Sequence, residues 1–148
     1  MDPTLDGAAR KLEECLGAGQ FSRVGEATFY AKRGSSVVGI HLQMGRGGPQ
    51  VLVQAAVVTG ADLASFPELL RSLLEYNVES RWGHFALDRQ GRILFQHLFS
   101  AASLTREDLL PCIGEIARVA DEWDDVIVEE AGGERALDGL HKPADPTA

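Results

Sequence analysis

At 148 residues, with 45% apolar and 24% charged side chains, the chain has the length of one domain and can bury an ordinary core without covalent staples. Its net charge of −8 repels phosphate backbones, and no basic stripe interleaved with aromatics occurs, so direct nucleic-acid binding is not expected. No apolar run approaches the length of a membrane span, the N-terminus lacks a basic-then-apolar leader, and Cys15 and Cys112 stand in no motif, which together predict a cytoplasmic protein without a disulfide framework or a membrane partner.

Residues 3–17 place Leu5, Ala9, Leu12 and Leu16 on one stripe and stop at Gly17, which describes a first helix. From Phe21 the period changes to two, with Phe21, Ala27, Phe29 and Ala31 alternating with polar residues through Lys32, as a half-buried strand requires. Gly34-Ser35 supplies a turn, and Val37 to Met44 forms the next strand. Gly45-Arg46-Gly47-Gly48 could be read as a phosphate loop, but it joins two strands and precedes no helix, so a hairpin turn is the better reading. Gln50 to Val58 is almost wholly apolar, as suits a central strand.

Ser65, with Pro67 and Glu68 behind it, opens a second helix that ends near Asn77 and carries Phe66, Leu69, Leu70, Leu73 and Leu74 on one side. His84 to Leu87 and Arg92 to Phe99 flank Asp88-Arg89-Gln90-Gly91 as a second hairpin. The strongest periodicity lies between Thr105 and Val128. There Leu109, Ile113, Ile116, Ala120, Trp123 and Ile127 form one stripe, while Glu107, Asp108, Glu115, Asp121, Glu122, Asp124 and Asp125 form a solvated acidic face. Pro111 should loosen the first turn and delay the regular helix to about Leu109. From Thr105 onward there are twelve acidic and four basic residues, leaving ten of each before it, so the charge excess is C-terminal. Residues 132–148 are turn-rich and are expected to form a mobile tail beyond a single domain at 1–131.

The order α-β-β-β-α-β-β-α, with strands in hairpins, predicts an α+β fold around an antiparallel five-stranded sheet. That order resembles the YbjN family. The residues that carry the likeness are the leucine-rich helix ending in Leu74 and Asn77, then Gly83-His84-Phe85-Ala86-Leu87-Asp88, Gly91 in the turn, Leu104-Thr105 opening the last helix, and Ala120, Asp121, Trp123 and Asp124 near its end. The resemblance spans about residues 5–130 and implies the class I type III secretion chaperone fold, usual dimerisation, and a role in holding a protein or peptide segment with no catalytic residues.

Four histidines, His41, His84, His97 and His141, stand on separate elements with no metal-ligand spacing, so no metal or cofactor is expected. His84 with Asp88 is the best catalytic pair the chain offers, and it lacks a nucleophile or second carboxylate; a small-molecule regulator or hydrolytic enzyme using it is the competing reading. Asp121 and Asp125 lie one turn apart, yet no loop oxygens complete a cation cage.

The more informative surplus is apolar. If Phe21, Phe29, Val38, Ile40, Val53, Val57, Leu87 and Phe95 face the helices, then Tyr30, Val37, Leu52, Ala56, Val58, Leu94 and Leu98 occupy the opposite sheet face. A face that apolar calls for cover, by the second helix, by a second subunit or by an extended partner segment. We therefore expect a non-enzymatic, homodimeric chaperone-like or adaptor protein, with the second helix near the dimer interface. Tyr30, Val37, Leu52, Trp82, Leu94 and Leu98 are the candidates for contact with a partner protein or extended peptide.

Overall fold

A computed structural model describes residues 2–17, 21–34 and 36–136. Helix α1 (Pro3–Leu16) starts where the Asp2 carboxylate accepts the Thr4 N–H at 2.7 Å and ends at Gly17, with Ala9, Leu12 and Leu16 buried. The strand expected from Phe21 to Lys32 is instead two, β1 (Phe21–Arg23) and β2 (Thr28–Arg33), folded back on each other with Phe21 opposite Ala31. Gly25, at φ 77°, makes the reversal possible. The alternation seen in sequence survives because antiparallel partners share a face.

Strands β3 (Ser36–Gly45) and β4 (Gly48–Thr59) form the expected hairpin around Arg46-Gly47. Helix α2 (Pro67–Glu79) begins after Phe66 and not at Ser65, whose N–H is taken by the Asp62 carboxylate at 3.2 Å. It also runs past Asn77. The Asn77 side chain accepts the Phe85 N–H at 2.6 Å and donates to the Phe85 carbonyl at 3.2 Å, tying α2 to the edge of β5 (His84–Leu87). Strand β6 (Ile93–Ser100) follows through the Asp88–Gly91 turn, and a short 3₁₀ turn at Ala101–Ser103 leads to α3 (Arg106–Ala131).

Helix α3 does not wait for Leu109. Thr105 caps it by accepting the Asp108 N–H at 3.2 Å, and the helix passes through Pro111. Pro111 and Glu107 both face solvent, where water can serve the carbonyl that the proline leaves unbonded. Beyond Gly132 the chain returns to the sheet: β7 (Glu134–Arg135) pairs with Val58 and Thr59 of β4. Gly133, at φ 86°, permits this return, since a Cβ there would lie 2.6 Å from the Thr59 carbonyl. Strand β7 lies beyond residue 131, and residues 137–148, with His141 and the rest of the expected tail, lie outside the described residues.

The antiparallel sheet has the order β1-β2-β3-β4-β6-β5, with β7 beside the end of β4. Seven strands among the described residues replace the expected five, through the division of β1 from β2 and the addition of β7. Leu12, Ile113, Ile116 and Ile127 of the helices and Val38, Ile40, Val51, Val53 and Phe95 of the sheet are fully buried in one core. Each such side chain contributes about 1.5–3 kcal/mol on burial. The Tyr76 ring of α2 meets Phe85, Phe95 and Trp123 edge-on at 5.6, 6.0 and 5.6 Å, which places α2 on the same side of the sheet as α3.

Candidate functional site

Among the described residues the helices gather on one face, and the opposite face is left to its own side chains. The register puts Tyr30 opposite Gly39, Val37 opposite Lys32, Leu52 opposite both His41 and Leu98, and Leu94 opposite Ala56. These five predicted residues therefore share one surface. Tyr30 is 40% and Leu98 45% exposed, whereas Leu94 is buried at 9%. The surface is less apolar than the sequence list suggests, because His41, Gln54 and Gln96 stand among them.

Two expectations about this face are corrected. Val58 is fully buried, since a bulge between Ala56 and Val58 sets it opposite Ile93 on the core side. Trp82 is on the helix side: its ring packs against His97 at 5.4 Å and Phe99 at 5.9 Å, and both alternate with the second-face residues of β6. Leu87 keeps the expected helix-side parity, opposite Ile93, but at the end of the edge strand it is 58% exposed.

The face also contains a cleft. Pairing of β3 with β4 stops at Gly39 opposite Gln54, although β3 begins at Ser36 and β4 continues to Thr59. The strands part beyond that point and leave a cleft of about 280 Å³. Tyr30, Val37 and His41 line it from the β3 side, Gln54, Ala56 and Leu94 from the β4 side, and it reaches Ala120 and Asp124 of α3. Gly39 matters here through its missing side chain: a Cβ would fall 2.6 Å from His41 Nε2, so the imidazole lies over the glycine. Tyr30 meets that imidazole edge-on at 6.3 Å. Burial holds the His41 pKa below the usual histidine range.

Asp124 was assigned by sequence to the solvated acidic face, and it is 7% exposed. Its Oδ1 accepts the Asp125 N–H at 2.6 Å. Desolvation pushes its carboxyl above the usual range; the Asp125 N–H and Arg135 act against this, and the charges of Asp125 and Asp121 act with it. Asp121 is also turned inward, accepting from the Ser36 hydroxyl at 2.6 Å. Glu122 and Asp125 remain outside, paired with Arg118 at 2.7 Å and Arg135 at 3.3 Å. The signal for Asp124 was present in the spacing Ile113, Ala117, Ala120, Asp124, Ile127, Ala131, a stripe that the apolar residues alone did not reveal.

His84 and Asp88 form no shared pocket with this cleft. Asp88 is committed to its turn, accepting the N–H groups of Gln90 and Arg92 at 3.0 and 2.8 Å and the Arg92 guanidinium at 2.6 Å. His84 is exposed, opposite Gln96. Among the described residues no group of three His, Cys, Asp or Glu side chains could hold a metal ion, and no helix is long and apolar enough to cross a membrane.

A second exposed surface lies on α2. Leu69 and Leu73 are buried as expected, but Leu70, Leu74 and Val78, expected with them or left aside, are 41%, 58% and 85% exposed. Their spacing of four was the sequence signal for a separate stripe.

The fold is that of type III secretion chaperones. A chain of the HopA1–SchA chaperone–effector complex superposes with a TM-score of 0.55 at 13% identity, covering 82% of this chain and 91% of the other. A chain of the ExsC–ExsE complex gives 0.52 at 18% identity over 86% and 97%, and the Yersinia pestis type III secretion chaperone SycH with a fragment of YscM2 gives 0.53 at 11% over 80% and 98%. No curated protein gives a significant sequence match. The chain belongs to the TY-Chap1 family, T3SS (YopN, CesT) and YbjN peptide-binding chaperone 1, whose model matches residues 7–139. The resemblance read from residues 69–124 is thereby confirmed.

Proposed function

We propose that this chain is a cytoplasmic, non-enzymatic chaperone-like or adaptor protein, a homodimer that holds an extended segment of another protein without a cofactor. The observation that carries the reading is the gathering of the described helices on one sheet face, which leaves Tyr30, Val37, Leu52, Leu94 and Leu98 together on the other. An extended segment suits such a face because its alternate side chains can enter the spaces between rows while its backbone follows the strands. The α2 stripe Leu70, Leu74 and Val78 is then the surface that a second copy covers. Trp82, on the helix side, supports the β5–β6 edge through His97 and Phe99 and is not assigned to the same contact. The solved complexes that share the fold at low identity hold chaperones with protein partners, in keeping with this reading.

The test is capture of partners from lysate by the full chain and by a Leu52→Asp/Leu98→Asp variant, followed by mass spectrometry. Both positions are solvent-accessible enough for the variant to fold, whereas Leu94 is too buried to serve. A folded double variant that loses the partners retained by the wild type is expected; undiminished capture would move the binding surface elsewhere.

A further inference from the structure

The cleft between the parted strands is more specific than the face around it. Asp124 is more than nine-tenths buried at its inner end, and among the described residues its one hydrogen bond comes from the adjacent Asp125 N–H. A single amide satisfies only part of a carboxylate's capacity for donors, and burial of the charged form is costly. The nearby cations are hydrogen-bonded to other carboxylates: Arg92, which also lines the cleft, pairs with Asp88 at 2.6 Å, and Arg135, whose charge reaches Asp124, pairs with Asp125 at 3.3 Å. Asp121, one turn before Asp124, adds negative charge on the same side and is shared with Ser36. The cleft is thus lined by Tyr30, Val37, Ala56 and Leu94 from the sheet and carries the Asp124 carboxylate where it reaches α3. At about 280 Å³ it falls below the usual range for small-molecule sites and suits one long side chain.

We infer that this cleft is an anchor pocket for one basic side chain, Arg or Lys, of the segment held on the sheet face, with the Asp124 carboxylate as its counter-charge. The apolar walls accommodate the methylene stem and the inner end receives the charged head, the arrangement such amphipathic side chains favour. Gly39, lacking a Cβ, leaves room for the His41 imidazole beside the cleft. The inference rests on the peptide-holding function proposed above and adds a chemical preference to it.

The experiment is selection of a random extended-peptide library displayed on phage against the full-length protein. It is followed by calorimetry of the best peptide and of the same peptide with its basic residue replaced by citrulline or norleucine, on wild type and on Asp124→Asn. We expect one position to be enriched in Arg or Lys, and loss of that charge to weaken binding about tenfold or more on wild type. On folded Asp124→Asn the penalty should vanish while binding through the apolar residues persists. Enrichment without a basic position, or an equal penalty on Asp124→Asn, would overturn the anchor and leave the peptide-holding function standing. Failure to enrich any peptide would overturn both. A fall from dimer to monomer mass in Asp124→Asn would give the cleft to a second copy. Tighter peptide binding by Lys142→Ala would give it to the chain's own C-terminal segment. Either result would overturn assignment to a partner.

Discussion

Two residues of α3 lie inside the protein for different reasons, and each makes a measurable prediction. Cys112 is fully buried, and its thiol is pushed up to about 12 by desolvation, with the neighbouring Glu115 carboxylate adding to the shift. Since the thiolate is the reactive form, Cys112 should resist a disulfide reagent in the native protein, while the partly exposed Cys15 is titrated. Both should react in denaturant. A native count that includes Cys112 would mean that α3 opens readily. Asp124 predicts a pH effect. Its pKa is raised in the fold, so the native state binds this proton more tightly than the unfolded chain. Stability must then fall as pH rises from the ordinary value of 3.8 through the raised folded value, and stay lower above it. Asp124→Asn removes that loss. Urea unfolding should show the variant gaining on wild type between about pH 4 and pH 7. An unchanged difference would mean that the carboxylate is not penalised by burial.

At the scale of elements, α2 is the helix with two apolar sides. Leu69, Leu73 and Tyr76 fix it to the body, through contacts that include Phe85 and Trp123, while Leu70, Leu74 and Val78 face outward. An internally satisfied helix would place polar residues on that outer stripe. Leu74→Asp/Val78→Asp should therefore reduce the mass measured by light scattering from dimer to monomer. The cost to the folded monomer should be small, within about 0.5 kcal/mol per exposed substitution. A dimer that survives both changes would place self-association on another surface, and a wild-type mass that is monomeric at every concentration would remove the dimer altogether.

At the scale of the whole molecule, the element order and fold class were legible because period-two and period-3.6 segments were separated by Gly-rich turns. The core stripe of α3 was equally plain in Leu109, Ile113, Ile116 and Ile127. What could not be read came from geometry that periodicity does not encode. A bulge moved Val58 from one face to the other, and the turn at Gly25 divided one apparent strand into a hairpin. Two-residue β7 was too short to leave a pattern. The second-face candidates Tyr30, Val37, Leu52, Leu94 and Leu98 came together because they share strand parity, and Trp82 did not because it lies in the connection before β5, where parity gives no guidance. The cleft was invisible in sequence, as it depends on where two strands cease to pair.

We propose that the sheet face that no described helix covers, and not the helical side, holds the partner. Hydrogen exchange of the full-length protein, alone and saturated with the best selected peptide, tests it most directly. Slower exchange is predicted along β2, β3, β4 and β6, strongest where β3 and β4 part, with α1 and the outer turns of α2 unchanged. Protection confined to α1 or α2, with the sheet unaffected, would contradict it.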